Sequence, residues 1–342
     1  MSMSTPYPGP TDGPNDAPGE PTGPQARPRK LRDLALMGGL FALVLLGLAG
    51  LAAATGWEET LEQLAKLGVV QVVVLLALSL VNYGLRGIRW HIFATRLGLP
   101  LGLGANLRHF LGGFAMSVTP GRVGELIRMR WIARETGWAF ERTAPLVLID
   151  RASDLAAMGL ILALSLAFAA GGVDWALPVA LLAIGASVIV TRPALLAGMA
   201  TRFYRATGLF PRLMIRVRRA AGSLRLFSHP QTLGFAAALG LLGWFAEGYA
   251  FHLLLGWFGA EIGFWKAVMI FVFATLAGGL TGAPGGIGGA EAAMIALLYM
   301  DGVGPEIAVP ATAVIRVTTL WFAILIGLAI FPQAETKSKG RR

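Results

Sequence analysis

Cysteine is absent from the 342-residue chain, so disulfide scaffolds, thiolate metal sites, iron–sulfur clusters and cysteine nucleophiles are excluded. Histidine is scarce as well: His91, His109, His229 and His252 lie far apart and make no metal-ligand spacing. Nothing in the pattern calls for a cofactor. Charged residues make up only 14%, against about 25% in soluble domains, while 55% of the chain is hydrophobic. Apolar runs of about twenty residues go with that shortage, which excludes a soluble globular domain and leaves an all-α polytopic membrane protein. The charge that is present leans positive, at net +10.

Residues 1–30 are rich in Pro and Gly and have no apolar periodicity, so they read as a disordered tail. A single transmembrane domain follows over 31–332. Its first apolar run, 34–55, reads as an uncleaved anchor helix because of its spanning length and long leading tail; a signal peptide is the competing reading. The later runs are 69–90, 104–118, 143–170, 175–192, 232–257, 264–281, 286–300 and 308–331. Runs 104–118 and 286–300 are too short to cross a core of about 30 Å, and each adjoins a Pro-Gly break. They are expected to form re-entrant helical hairpins, 104–135 and 264–300.

With the amino terminus cytoplasmic, the outer connections hold Glu58, Glu59, Glu62, Asp174, Glu261, Asp301 and Glu306 but only Lys66 and Lys266. Setting aside Arg151 and Arg316 inside the bilayer, the other 25 Lys and Arg fall on the inner side. That asymmetry predicts a multi-pass protein with both termini cytoplasmic. The 193–231 linker has seven arginines between 202 and 225 and no acid. Leu213, Val217, Ala220, Leu224 and Phe227 recur at helical spacing, as in a basic amphipathic helix lying on anionic inner-leaflet lipids. Nucleic acid is the other reading of basic runs, set aside because juxtamembrane arginines act as topology signals. Residues 333–342 form a short basic tail.

Landmarks recur. TPGRVGE (119–125) is matched by APGGIGGAE (283–291), and APLVLIDR (144–151) by VPATAVIR (309–316). Pro145 and Pro310 are 165 residues apart, as are Arg151 and Arg316. The pattern predicts two units, about 69–170 and 232–331, inverted in the membrane as in many transporters.

Charge inside a bilayer is costly, so each instance needs a reason. Arg151 and Arg316 each lie eight residues into an apolar run and approach the midplane from opposite sides, an arrangement suited to an anionic ligand. Asp150 and Asp154 share a helical face, and Arg151 reaches Asp154 at i,i+3; internal salt bridges and substrate contact are both open to them. Glu125, Glu247 and Glu291 stand nearby, Glu247 as a candidate proton carrier. Gly121 and Gly124 in the first motif, and Gly285, Gly286 and Gly288 in the second, permit close backbone approach and would present N–H groups to phosphate. Arg122 could clamp a headgroup. Arg86, Arg89 and Trp90, at the end of run 69–90, read as an interfacial anchor.

The stretches TPGRVGELIRMRWI, LIDRASDLAAM and GAPGGIGGAEAAMIALLYMDGV, with an arginine in the last helix, resemble the lysylphosphatidylglycerol synthase transmembrane-region family, also called flippase-like. The resemblance covers roughly 35–332. It implies an inner-membrane protein that moves a lipid or lipid-linked intermediate between leaflets, with hopanoid and glycolipid cargo plausible. The family's Glu-Arg-x-x-Asp becomes Asp150, Arg151 and Asp154 here. These 342 residues leave no room for a soluble aminoacyl-transferase domain, so lysyl-lipid synthesis is not expected. Two other classes stay open. One is a membrane-embedded transferase on a polyprenyl or hopanoid lipid, with Asp150 and Asp154 as acid, base or metal ligands. The other is a noncatalytic partner of a lipid-synthesis enzyme.

Overall fold

The computed structural model describes residues 57–117, 123–169, 192–207 and 224–339, with Ala42 and Gly222. The tail, nearly all of run 34–55, motif residues Pro120, Gly121 and Arg122, residues 175–191, and Leu213, Val217 and Ala220 of the linker lie outside this set.

The described residues form helices and turns without a strand. In chain order they are α1 (Trp57–Ala65), α2 (Val69–Arg96), α3 (Leu103–Gly112) with a tight turn over Gly113–Met116, α4 (Val123–Thr136), α5 (Phe140–Ala169) and α6 (Pro193–Thr207). After a turn at Arg225–Phe227 come α7 (Pro230–Trp257), α8 (Phe264–Leu280), a turn at Pro284–Gly286, α9 (Gly289–Met300) and α10 (Pro305–Arg316). A wide π turn, Val317–Trp321, joins α10 to α11 (Phe322–Lys339). The all-α polytopic class holds: α2, α5, α7 and the continuous rod 305–339 are each long and apolar enough to cross a membrane.

The apolar runs locate these helices well, with instructive differences at their ends. Helix α5 begins at Phe140, so Pro145 sits one turn inside it; α10 begins at Pro305, with Pro310 likewise inside. Helix α2 does not stop at residue 90 but continues to Arg96. Its buried residues Leu75, Ser79, Asn82, Arg89 and Phe93 keep helical spacing across the end of the apolar run. The amphipathic half thus continues the helix along the protein rather than into an interface.

Two apolar cores form. One gathers α7, α8, α9 and α10 with Leu75 of α2 and Ala157, Met158 and Ile161 of α5. The other gathers Tyr83, Trp90 and Phe93 of α2, Phe110 of α3, Leu146 and Ile149 of α5, and Ala323 of α11. Leu224 and Phe227 also belong to this second core, where Phe227 packs edge-on to Phe93 at 5.6 Å. The expectation that these two linker residues rest on the membrane surface is thereby corrected: their spacing suited either apolar partner, and the protein supplies the closer one. Small residues let α7 lie close to its neighbours; a Cβ at Gly248 would stand 3.1 Å from Val268. Helix α11 is docked at both ends. Gly327 lies so near the Gly113–Met116 turn that a Cβ would meet the Ala115 amide at 2.2 Å. Farther along, Glu335 accepts bonds from Trp131 at 2.8 Å and Arg134 at 2.9 Å.

Candidate functional site

Along α5 the second core ends at Ile149 and the first begins at Ala157. Between them a polar belt crosses the molecule. Arg89 of α2 is fully buried, and its Nη2 donates to Asp150 and to Asp154, both at 2.7 Å. Arg86, one turn earlier, donates through Nη2 to the other Asp154 oxygen at 2.6 Å. The Trp244 indole of α7 also reaches Asp154, at 3.3 Å, and its ring lies 5.0 Å from the Arg86 guanidinium. Three long helices are therefore tied by two aspartates, two arginines and an indole, near mid-length in α5 and α7 and in the second half of α2. A buried pair with one member missing costs several kcal/mol, so this knot is all-or-none.

Two further ion pairs flank the knot with the same chemistry. Arg151 of α5 donates through Nε to Glu125 at the start of α4, at 2.6 Å. Arg316 of α10 donates through Nε to Glu291 at the start of α9, also at 2.6 Å. In the second pair Arg316 Nη2 also donates to the Gly285 carbonyl at 2.9 Å, and the Gly288 N–H donates to Glu291 at 2.7 Å. Gly285 holds φ 65°, a left-handed conformation that glycine adopts without penalty. In the first pair Arg151 has Asp154 as a second, looser partner at 3.8 Å. Gly124 lets α4 begin against the preceding turn, since a Cβ there would fall 2.5 Å from the Gly113 carbonyl oxygen.

Arg128 of α4 and Glu247 of α7 complete the cluster. Arg128 is buried with no carboxylate at ion-pair distance among the described residues. Its guanidinium sits instead over the rings of Phe110 at 4.5 Å, Phe114 at 5.5 Å and Trp90 at 5.5 Å. Glu247 is 5% exposed and interacts electrostatically with Arg86, Arg316 and Asp154. It thereby links the first charge group to the second. Among the described residues, the buried atoms left without a partner in this belt include the donors Asn82 Nδ2, Arg86 Nε, Arg89 Nε and Nη1, and Arg128 Nε. A belt with spare N–H groups on guanidiniums favours an anion.

The sequence expectations sort accordingly. Asp150, Arg151, Asp154 and Glu125 come together in one network; Arg316, Glu291 and Gly285 form another. Asp150 and Asp154 are held by Arg89 and Arg86. The N–H groups of Gly286 and Gly288 are taken by the Ala283 carbonyl and Glu291, so in this conformation neither is offered to phosphate. The reading of Arg86 and Arg89 as an interfacial anchor is overturned, because α2 continues beyond them and buries Arg89 completely. Sequence reasoning missed Arg128 as well; its signal was an arginine facing inward on a helix whose neighbours Trp131 and Ile132 are also fully buried. No group of three His, Asp or Glu among the described residues is arranged to hold a metal ion.

Residues 35–327 match the family described as the lysylphosphatidylglycerol synthase transmembrane region. The chain belongs to this family. A UPF0104 membrane protein of Methanothermobacter thermautotrophicus is 26% identical over 325 residues, covering 85% of this chain and 94% of its own. A second match under the same name, from the same organism, is 33% identical over 123 residues, 36% of either chain. The family match includes both motifs and every member of the belt, so the belt is part of the family's domain rather than an appendage to it.

Proposed function

We infer that the chain carries an anionic lipid headgroup, or that of a lipid-linked intermediate, across the inner membrane while the tails stay in the bilayer. The observation that carries this reading is the arginine-rich belt with spare donors within the span of the long apolar helices. A purely structural knot of two aspartates would need one or two guanidiniums. Here Arg151, paired to Glu125 yet with 39% of its side chain exposed, and Arg128, with no carboxylate at ion-pair distance among the described residues, stand beyond that need.

Other features support an alternating two-unit carrier. Helices α5 and α10 begin 165 residues apart, the same interval as their inner prolines and arginines, and the two arginines make the same bond to a glutamate. Helices α3 and α9, of 10 and 12 residues, are too short to cross a core of about 30 Å, in keeping with re-entrant hairpins. The surplus of Lys and Arg supports cytoplasmic termini. In this reading Arg151 meets the headgroup, Arg316 holds the second hairpin, and rocking of one unit against the other exposes the belt to each leaflet in turn. The transferase reading is weaker, because both candidate acid–base aspartates are already neutralised by arginines.

The test is transfer of headgroup-labelled lipids in proteoliposomes, with a panel of phosphatidylglycerol, polyprenyl phosphate, glycolipid and hopanoid probes. Movement of an anionic probe that is absent from protein-free vesicles is the expected result. No movement of any of them, with or without a proton gradient, overturns it.

A further inference from the structure

Glu247 stands apart from the other carboxylates of the belt. Glu125, Asp150, Asp154 and Glu291 are each held by an arginine at 2.6 to 2.7 Å, whereas none of the described residues makes an ion pair with Glu247. Its surroundings are nonetheless charged on several sides. Helix α2 brings Tyr83 and Arg86, α5 brings Asp154, and α10 brings Arg316. The one charge on α8, Lys266, is bound to Asp301 at 2.7 Å. The other titratable groups within α7, Tyr249 and His252, pack against each other and against Phe264.

The charge count gives this isolation a meaning. Among the described residues, the belt's five arginines face four arginine-held carboxylates and Glu247, so this set is neutral when Glu247 is ionised. A monoanionic headgroup entering that state would leave a net negative charge in the low-dielectric interior, which is strongly unfavourable. A proton on Glu247 makes the belt +1 and the loaded belt neutral again. The other four carboxylates are poor recipients, because protonating any of them would break an arginine's hydrogen bond.

Building on the anion-carrier reading above, we propose that Glu247 is the proton-binding site of this protein, taking up one proton for each monoanionic lipid headgroup that enters the belt. The step is charge-balanced: a carboxylate and a proton become a carboxylic acid, the headgroup brings one negative charge, and no bond of the lipid changes. Proton and anion then load and leave together, which makes a proton gradient able to drive the movement of lipid.

The experiment is calorimetric titration of the purified full chain in detergent with short-chain phosphatidylglycerol, in two buffers of different ionisation enthalpy, with short-chain phosphatidylcholine as the neutral control. Wild type should take up about one proton per phosphatidylglycerol, and its affinity should fall by up to about tenfold per pH unit once Glu247 is ionised. Glu247→Gln should bind phosphatidylglycerol without proton uptake and with no such pH dependence. If that variant does not fold, Glu247→Asp should retain uptake over a displaced pH range. Binding without uptake by wild type, unchanged uptake in Glu247→Gln, or an undisplaced range in Glu247→Asp overturns the proton site and leaves the anion reading standing. No phosphatidylglycerol binding at any pH overturns this proposal for that headgroup, and the lipid panel above then decides the anion reading separately.

Discussion

The pairs Arg151–Glu125 and Arg316–Glu291 are the same bond in two settings. Both join Nε to a glutamate oxygen at 2.6 Å, and both tie an arginine deep in a helix to the start of the helix before it. Yet the Arg151 side chain is 39% exposed and the Arg316 side chain 7%. The second pair is also braced by the Gly285 carbonyl and the Gly288 N–H; among the described residues the first has a loose contact with Asp154, and its matching positions Gly121 and Arg122 lie outside that set. Matching motifs therefore do not imply matching duties. The braced pair has the character of a pin and the open one that of a hand.

The largest expected effect lies on the pin. Arg316→Ala strands Glu291 in the interior and should cost about 3–5 kcal/mol of stability, measured by denaturant unfolding in detergent micelles. A loss below about 1 kcal/mol would erase the difference between the two pairs. Next come the turns that brace them. Gly285→Ala must hold a left-handed backbone at a cost of about 1–2 kcal/mol. Gly124→Ala sets a Cβ against the Gly113 carbonyl and should cost about 1–3 kcal/mol, both read as lowered thermal midpoints. The smallest stability effect belongs to the hand: Arg151→Ala should lose clearly less than Arg316→Ala, since its side chain is 39% exposed against 7%. The same variant should nevertheless stop lipid transfer in proteoliposomes, while Arg151→Lys keeps part of it. Double-mutant cycles on the two pairs sharpen the contrast, with a coupling energy clearly larger for Arg316 with Glu291 than for Arg151 with Glu125.

The long helices were legible because a bilayer core demands about twenty apolar residues, and few other structures leave that trace. The Arg151–Glu125 pair was half legible, since the motif placed a glutamate at a helix start, but nothing local said which arginine would meet it. The knot of Arg86 and Arg89 with Asp154 was not legible. Its members are 68 and 65 residues apart, and hydropathy falls where α2 turns from a lipid-facing helix into a protein-facing one. A charge at that point looks the same whether it reaches for water or for a buried aspartate. Arg128 was hidden for a related reason: the rings that hold it belong to α2, α3 and the turn after α3.

The π turn after Arg316 sets the phase of the last rod. One surplus residue in a helix amounts to about 100° of rotation. Upstream, the rod's orientation is dictated by Glu291 through Arg316; downstream, by the tight seat of Gly327 on Ala115 and by Trp131 and Arg134 through Glu335. An unbroken α-helix could satisfy one set of contacts or the other. Tyr83 donates its hydroxyl to the Thr319 carbonyl inside that wide turn, so α2 touches the rod at the place where its two halves fall out of step. The turn works as a gear offset, letting one continuous helix mesh with two neighbours cut to different teeth.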